Sequence, residues 1–154
     1  MGYHALNSLR LEKAYRSWGH DIGWQDTPLE AGLAFTIDWD TPFIGRDALL
    51  AQRIDGVRRR LVQFRFADPD VVAYHDEPIF RDGIRVGTVT SASPGWTVGT
   101  SVALGYVNAG DADGVVDREW VEAGSYEIEV AEVRHPVTVS WRPLYDPKSA
   151  RVRS

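Results

Sequence analysis

The spacing of apolar residues changes about one third of the way along the chain. Before residue 56, Leu11, Ala14 and Trp18 recur at three- and four-residue intervals, which places them on one face of a helix. After residue 56 apolar and polar residues alternate, as over residues 62–66, which is typical of strands with one buried face. The pattern predicts an α+β, mainly β fold, in which a short helical segment precedes a small antiparallel β-barrel.

The first helix is predicted over residues 5–18, which contain no Gly or Pro, and Gly19 is expected to end it. A second helical start follows at Thr27-Pro28-Leu29-Glu30. Thr27 is a good cap there, Pro28 suits the first helical position, and Glu30 completes a capping box. Gly32 limits this helix to one or two turns.

Alternating apolar residues at 33, 35, 37 and 39 then predict a half-buried strand. Residues 46–54 predict another short helix between Gly45 and Gly56. Its apolar side chains are expected to pack inward: Leu49, Leu50 and Ile54.

Five or six short strands are predicted after residue 56. Residues 77–90 indicate a hairpin around Asp82-Gly83, because this dipeptide tolerates the positive φ of a tight turn. Residues 91–100 and 108–118 are rich in turn-forming residues and predict loops, with a central strand at 102–107 between them. A turn at 123–124 precedes a strand over 126–130. Pro136 and Pro143 are expected to bracket the last strand, VTVSW.

Composition excludes several classes of function. The chain has 154 residues and a net charge of −5, which argues against a nucleic-acid-binding surface, and the Arg58-Arg59-Arg60 run indicates only a solvated strand start. The absence of cysteine excludes disulfides and thiol catalysis. No export signal or membrane-spanning run is evident, so a soluble, cytoplasmic protein is expected.

Common catalytic and metal-binding motifs are missing as well. The four histidines form no His-x-His or His-x-x-x-His pair, so no protein-held metal site is predicted. There is no Gly-x-Ser-x-Gly motif, and the glycines of residues 83–99 lack the strand-to-helix context of a phosphate-binding loop.

Charged and aromatic residues are instead concentrated in residues 5–37. They include Arg10, Glu12, Arg16, Trp18, His20, Asp21 and Glu30. Two interpretations are open on composition alone. Either the segment forms a wall of a small-molecule site, or its charges pair with each other within a capped pair of helices.

Several motifs within this chain resemble one enzyme family. The runs LRLEKAYRSWGHDI, TPLEAGL and FIGRDAL, in this order, resemble the tetrahydrofolate-binding part of dimethylglycine and sarcosine dehydrogenases. They are similar, more distantly, to the aminomethyltransferase (T-protein) of the glycine cleavage system. GTVTSASPGWTVGTSVALGYV, residues 87–107, resembles the C-terminal barrel of the same families.

The resemblance implies two domains. Residues 1–55 would be the C-terminal end of the folate-binding domain, and residues 56–154 would be the β-barrel domain. T-proteins often carry an arginine where Leu6 stands here, so the role of that arginine cannot be transferred. Trp18 stands where T-proteins commonly have a tyrosine near the folate.

The implied cofactor is tetrahydrofolate, which is flat and carries an anionic glutamate tail. Aromatic residues would stack on the face of its ring, and carboxylates would accept hydrogen bonds from N–H groups at the edge of the ring. Arginines would bind the anionic tail. Trp24 could also supply aromatic surface, and Arg16 could also supply positive charge. The folate-binding candidates are Arg10, Glu12, Tyr15, Trp18, Glu30 and Arg151.

No catalytic residue is predicted in this chain. In the resembling families the catalytic Asp and the pterin-anchoring Glu come from the earlier part of the folate domain, and FAD would be bound by a domain further upstream. We therefore expect the chain to be the C-terminal part of a folate-dependent N-methyl-amine dehydrogenase, inactive alone. Two alternatives remain: a non-catalytic assembly module that completes a flavoprotein partner, or part of a T-protein-like aminomethyltransferase.

Overall fold

The computed structural model describes residues 2–110, 114–151 and 153. Three α-helices and six strands occur in these ranges, together with one 3-10 turn at Ala34–Thr36. The helices are α1 (Tyr3–Glu12), α2 (Arg46–Asp55) and α3 (Arg118–Ala123). The strands are β1 (Arg59–Phe66), β2 (Pro78–Arg81), β3 (Ile84–Gly95), β4 (Thr100–Asn108), β5 (Tyr126–Val130) and β6 (Val133–Ser140).

The six strands form a closed antiparallel barrel in the order β1-β4-β3-β2-β5-β6. Closure pairs β1 with β6, from Gln63 opposite Ser140 to Phe66 opposite Val137. Closing a sheet on itself removes the exposed edges that would otherwise pair with other chains. The predicted fold class, a short helical segment followed by a small antiparallel barrel, is confirmed.

Strand β1 is buried on both faces. Val62, Phe64 and Phe66 point into the barrel core, where Ile79, Val89 and Ile128 are also fully enclosed. Leu61, on the opposite face, packs with Leu11 and Ala14 under the end of α1. The barrel therefore has an inner core, and a smaller outer core that attaches the N-terminal segment.

Helix α1 ends at Glu12, six residues before the predicted end at Trp18. Leu11 and Ala14 are buried as the helical spacing indicated, but Ala14 adopts a positive φ of 52°. The N–H of Tyr15 bonds the carbonyl of Arg10 at 2.8 Å, which closes the helix end. The chain then turns away, and Trp18 is 70% exposed.

The predicted strand over residues 33–39 is wrong. Residues 34–36 form a 3-10 turn, and Phe35 is 81% exposed. Alternation alone does not make a strand, because a strand also needs a neighbour to pair with its backbone groups. Each strand of the closed barrel already has two neighbouring strands, so none has a free edge with which this segment could pair.

Helix α2 occupies Arg46–Asp55, one residue longer than predicted, but its inward packing is wrong. None of its residues is buried, and Ile54 is 85% exposed. Leu49 and Leu50 are partly exposed. Within the described ranges, no surface buries the apolar side chains of this helix.

The predicted hairpin at Asp82-Gly83 is confirmed, with φ values of 51° and 82° at the two turn residues. The strand β3 continues to Gly95, however, so the loop predicted over 91–100 shortens to residues 96–99. The short helix α3 was not predicted. Residues 111–113 of the predicted loop 108–118 lie outside the described residues.

The last strand is longer than predicted and includes Pro136, which faces Glu127 of β5. The β5–β6 turn has left-handed φ values at Ala131 and Glu132, 50° and 66°. Tight hairpin turns of this kind usually carry Asn, Asp or Gly, so these two residues gave no turn signal. No helix among the described residues has the length and apolar character needed to cross a lipid bilayer.

Candidate functional site

A cleft of about 680 Å³ lies between the N-terminal segment and the C-terminal tail of the barrel. The cleft combines cationic, aromatic and small side chains from three separate parts of the sequence. It is lined by Lys13, Tyr15, Arg16, Ile22, Gly32, Leu33, Ala34, Phe35, Arg60, Trp141, Arg142, Pro143, Asp146, Pro147 and Ser149.

Two half-buried arginines give the cleft its charge. Arg16 donates to three main-chain carbonyls, those of Ala14 at 2.7 Å, Ala31 at 3.0 Å and Gly32 at 3.4 Å. Arg60 donates to the carbonyl of Leu29 at 2.9 Å. Main-chain carbonyls hold these guanidinium groups in place without neutralising them, so both retain a full positive charge toward the cleft.

Burial makes the environment of these arginines less favourable to their charge, although the charge of Asp21 partly offsets this for Arg16. Burial lowers the pKa of Arg16. Burial and the nearby charge of Arg16 together lower the pKa of Arg60. Arg142 also lines the cleft, and its exposed side chain makes no hydrogen bond or ion pair with another described residue. An anion bound here would relieve repulsion between like charges.

Aromatic rings provide the apolar surface of the cleft. Phe35 and Tyr15 are 81% and 51% exposed. The Trp141 ring is held by Arg60, whose guanidinium carbon lies 4.2 Å from the ring centroid. Exposed aromatic rings beside arginines that are held by main-chain carbonyls suit a ligand that is both flat and negatively charged.

The C-terminal tail forms one wall and is held by long-range hydrogen bonds. Gln63 of β1 accepts from the N–H of Leu144 at 2.8 Å and donates to the carbonyl of Leu11 at 2.6 Å. The Lys13 amino group bonds Asp146 at 2.9 Å. This pairing raises the pKa of Lys13 and lowers the pKa of Asp146. The wall is thus tied both to α1 and to the barrel.

The structure places only one of the six predicted folate residues, Tyr15, on the cleft surface. Glu12 is 1% exposed, and its carboxylate accepts from the N–H groups of Thr97 and Val98 at 2.5 and 2.9 Å. Because its charge is enclosed and satisfied by main-chain donors, Glu12 has a structural role in holding the β3–β4 turn.

Arg10 is also used internally. It forms an ion pair with Asp21 at 2.6 Å and donates to the Ser91 hydroxyl at 2.9 Å. Asp21 is fully buried and accepts two further bonds, from the Ser17 N–H and the Thr90 hydroxyl. The alternative in which charges of residues 5–37 pair with each other therefore describes Arg10 and Asp21.

Glu30 completes the capping box that its spacing predicted. Its carboxylate accepts from the Thr27 N–H at 3.0 Å, and its own N–H donates to the Thr27 hydroxyl at 3.2 Å. Arg59 lies 3.5 Å from the same carboxylate and also bonds Asp26. The Arg58-Arg59-Arg60 run is thus more than a solvated strand start, since Arg59 and Arg60 anchor the N-terminal segment to β1.

The remaining candidates lie near the cleft but outside its lining. Trp18 and Trp24, 70% and 90% exposed, border a separate groove of about 280 Å³. Arg151 donates to the Tyr145 hydroxyl at 2.9 Å, two residues beyond Ser149 of the cleft wall.

Sequence reasoning missed the residues that give the cleft its character: Phe35, Arg60, Trp141 and Arg142. They come from three distant segments, and no spacing rule connects them. The alternating pattern places Phe35 on a strand, and the arginine run places Arg60 in solvent. Among the described ranges, no group of three or more metal-ligating side chains is placed to hold a metal ion.

Comparison with protein families assigns both parts of the chain. The glycine cleavage T-protein C-terminal barrel domain matches residues 59–146. The GCVT N-terminal domain matches residues 1–41. The division into domains at residues 55 and 56 stays a prediction.

Individual relatives are much longer than this chain. It is 44% identical over 154 residues to 4-methylaminobutanoate oxidase (formaldehyde-forming) of Paenarthrobacter nicotinovorans, covering 99% of the chain and 18% of the oxidase. It is 40% identical over 154 residues to mitochondrial sarcosine dehydrogenase of Mus musculus, covering 99% of the chain and 16% of the dehydrogenase. The chain thus spans less than a fifth of these two relatives.

A solved structure has the same fold. The glycine cleavage system aminomethyltransferase T of Bartonella henselae superposes with a TM-score of 0.76 at 26% identity. The match covers 93% of this chain and 38% of that protein.

Proposed function

Since this chain belongs to the glycine cleavage T-protein family, we propose that it is the C-terminal part of a tetrahydrofolate-dependent N-methyl-amine dehydrogenase of the dimethylglycine or sarcosine type. Its role would be to contribute one side of the folate site. The names of two relatives support this substrate class, since sarcosine and 4-methylaminobutanoate are both methylamino acids.

The observation that carries the proposal is the cationic and aromatic cleft. Tetrahydrofolate, when bound, accepts a one-carbon unit. Its carboxylates would find three positive side chains in Arg16, Arg60 and Arg142, and its ring would find the exposed faces of Phe35 and Tyr15. Arg151 lies close enough to the same wall to serve as a further contact for the anionic tail.

This chain would bind and orient folate without performing the chemistry alone. The side chains of the cleft are cationic, aromatic or apolar, apart from the Ser149 hydroxyl and the carboxylate of Asp146, which is paired with Lys13. A carboxylate free for proton transfer would therefore come from the preceding part of the folate domain, and the flavin from a domain further upstream. Such an arrangement makes the 154-residue chain inactive by itself.

Folate binding can be measured by calorimetric titration of two proteins. One is the 154-residue chain, and the other is the Paenarthrobacter oxidase with this chain substituted for its matching segment. We expect the chimera to bind tetrahydrofolate and the chain alone to bind far more weakly, because the ligand would touch protein on one side only.

Two cleft substitutions and one control test where the ligand sits. Phe35→Ala and Arg142→Met should each weaken binding by the chimera about tenfold, which corresponds to about 1.4 kcal/mol. Arg65→Met removes an exposed arginine of β1 outside the cleft and should leave the affinity unchanged. If both cleft variants bind tetrahydrofolate as tightly as the unmodified chimera, the cleft is not the folate site. If the isolated chain binds tetrahydrofolate tightly, the preceding part of the domain is not needed for binding.

Two other functions remain as candidates. The similarity to an aminomethyltransferase supports a flavin-free enzyme that would use the same folate site. Exposed apolar residues in the N-terminal third support an assembly module that completes a flavoprotein partner. Bound flavin in a purified complex would separate these possibilities, since an aminomethyltransferase would contain none.

A further inference from the structure

Three of the six tryptophans are covered by an arginine, and Trp18 and Trp24 are not. The guanidinium carbons over Trp39, Trp120 and Trp141 lie 5.0, 4.3 and 4.2 Å from the ring centroids. Within the described ranges no cation lies over Trp18 or Trp24, although their side chains are 70% and 90% exposed. The negative face of an indole attracts cations. These two rings therefore have the capacity to bind a cation that the protein itself does not supply.

Trp18 and Trp24 border the same groove, which has a volume of about 280 Å³ and is here called the indole groove. Gly19 and Gly23 also line it and contribute no side chain, so the two indoles form much of its surface. Neither ring stacks on another ring of the described chain. The indole faces in this groove are thus open to a ligand.

The loop that carries the two indoles is held by its own hydrogen bonds. The N–H of Gly19 donates to the carbonyl of Ile22 at 2.8 Å, which closes the turn that presents Trp18. The N–H of Gly23 donates to the Asp26 carboxylate at 2.6 Å and closes the turn that presents Trp24. Because both turns are formed before a ligand arrives, less conformational entropy is lost on binding.

The charge beside the indole groove is negative. Its lining includes one carboxylate, that of Asp26, and neither lysine nor arginine. Asp26 shares the Arg59 guanidinium with Glu30. Two carboxylates and one guanidinium leave one negative charge in this cluster. Such a field raises the local concentration of cations and disfavours anions.

The neighbouring cleft has the opposite charge. Ile22 lines both the cleft and the indole groove, so the two sites adjoin. The lining of the cleft contains four cationic side chains, Lys13, Arg16, Arg60 and Arg142, and a single carboxylate. An anionic ligand is therefore favoured on one side of Ile22 and a cationic ligand on the other.

The lining of the groove indicates what kind of cation it takes. A metal ion needs several carboxylate or imidazole ligands, and no such group of three occurs in the part of the chain that the structure describes. A primary ammonium is strongly hydrated, which makes contact with an apolar ring costly. Methyl groups spread the charge and weaken this hydration, so methylated ammonium groups are the cations that aromatic rings bind best.

We infer that the indole groove binds the methylated ammonium group of an N-methylamino acid, with Trp18 and Trp24 as its contacts. This inference deepens the proposed function and rests on it for the identity of the amine. It gives Trp18 a role other than stacking on folate. An amine held in the groove would lie beside the cleft that holds the acceptor of its one-carbon unit.

Nuclear magnetic resonance of the indole N–H groups tests the inference in the 154-residue chain without folate. Tetramethylammonium chloride should shift the signals of Trp18 and Trp24. The neutral molecule tert-butanol, which has a similar shape, should leave them unchanged at the same concentration, as should sodium chloride. Equal shifts with the cation and with tert-butanol, or no shift with the cation, would overturn the inference.

Amino acids extend the titration to the proposed ligand class. N,N-dimethylglycine should shift the Trp18 and Trp24 signals more than sarcosine, and sarcosine more than glycine, since the three differ only in methylation of the same ammonium. Shifts that do not increase with methylation would show that the groove does not select methylated amines.

Substitutions locate the cation. Trp24→Leu should weaken tetramethylammonium binding, followed at the Trp18 signal, about three- to fivefold, the size of an exposed cation–π contact. Trp24→Phe keeps a ring and should lose less. Trp96→Leu is the matched control, because Trp96 is 83% exposed but lies outside the groove. An unchanged affinity in Trp24→Leu, or an equal loss in Trp96→Leu, would contradict the assignment.

The same signals separate this inference from the folate proposal. If tetrahydrofolate shifts the Trp18 and Trp24 signals more than tetramethylammonium does at equal concentration, the groove belongs to the folate site and the inference fails. A chimera that binds folate, together with indoles that do not respond to methylated ammonium, would reject the inference alone. Responsive indoles together with a chimera that does not bind folate would count against the folate function alone.

Discussion

The carboxylate of Glu12 accepts a hydrogen bond from the main-chain N–H of Val98 at 2.9 Å, between residues 86 positions apart in the chain. The same carboxylate oxygen accepts from Thr97 at 2.5 Å. The bonds fasten the end of α1 to the turn between β3 and β4. The main-chain carbonyl of Glu12 also accepts from the N–H of Tyr145, so one residue holds both the β3–β4 turn and the tail that borders the cleft.

Replacing Glu12 should therefore destabilise the whole chain. Glu12→Met conserves much of the side-chain volume but leaves the part-buried N–H groups of Thr97 and Val98 without this acceptor, and we expect a loss of about 1–3 kcal/mol in the free energy of unfolding. Glu12→Gln retains an acceptor oxygen and should cost less than half as much. Urea unfolding measures both, and equal losses would show that hydrogen bonding to this side chain is unimportant.

The buried pair of Arg10 and Asp21 should show strong coupling. Arg10→Met and Asp21→Asn should each cost about 3–5 kcal/mol, because each leaves a charged or polar group buried without its partner. The double variant should cost less than the sum of the two losses. A double-mutant cycle measured by urea unfolding gives the coupling free energy between the two residues. Additive losses would show that they are not coupled.

Gly87 should tolerate no side chain. A Cβ at this position would lie 1.8 Å from the carbonyl oxygen of Tyr106 on the neighbouring strand, so β3 and β4 would have to separate. Gly87→Ala should destabilise the barrel by more than about 3 kcal/mol in thermal or urea unfolding. Gly2→Ala is the matched control, since a Cβ there meets no atom within 4 Å. A stable Gly87→Ala barrel would contradict the close approach of the two strands.

Tyr126 should make stability depend on alkaline pH. Burial raises the pKa of its hydroxyl to about 12, against about 10 for an unfolded tyrosine. The Tyr126 hydroxyl therefore binds its proton more tightly in the folded state than in the unfolded state. Its contribution to the free energy of unfolding is fully present below pH 10 and is lost as the pH rises through about 12. The shift corresponds to about 2–3 kcal/mol for this nearly enclosed side chain.

Substitution of Tyr126 checks this effect. The hydroxyl has no hydrogen-bond partner among the described residues, so Tyr126→Phe should change stability by less than about 1 kcal/mol at pH 7. It should reduce the loss of stability between pH 10 and pH 12, measured by urea unfolding at each pH. Tyr74→Phe alters an exposed ring and serves as the control. An identical alkaline profile in wild type and Tyr126→Phe would contradict the assignment.

Much of the fold follows from local sequence. The alternation over residues 62–66, the Asp82-Gly83 turn and the Thr27–Glu30 capping box all appear where the sequence predicted them. Each depends on residues within a few positions of one another, so local steric and hydrogen-bonding preferences are enough to specify it. The barrel was predicted from the succession of short strands joined by turns, together with the family resemblance.

The errors occur where distant parts of the chain decide the outcome. Residues 33–39 alternate like a strand, yet they lack a neighbouring strand to pair with. The spacing of Leu11, Ala14 and Trp18 continues a helical face, yet the chain leaves the helix after Glu12. Ile54 has the pattern of a core residue, yet its side chain is 85% exposed.

The sequence by itself determined most of the barrel strands, the Asp82-Gly83 turn, the Thr27–Glu30 capping box and the kind of family, because each arises from neighbouring residues or ordered motifs. Only the tertiary structure decided which charged residues are committed to internal bonds and which line the cleft. Arg60 and Trp141 stand 81 positions apart, and it is barrel closure that brings them together at 4.2 Å. Burial and pairing depend on these long-range contacts, so Arg10 and Glu12 became supports while Arg16 and Arg60 became the cations of the cleft.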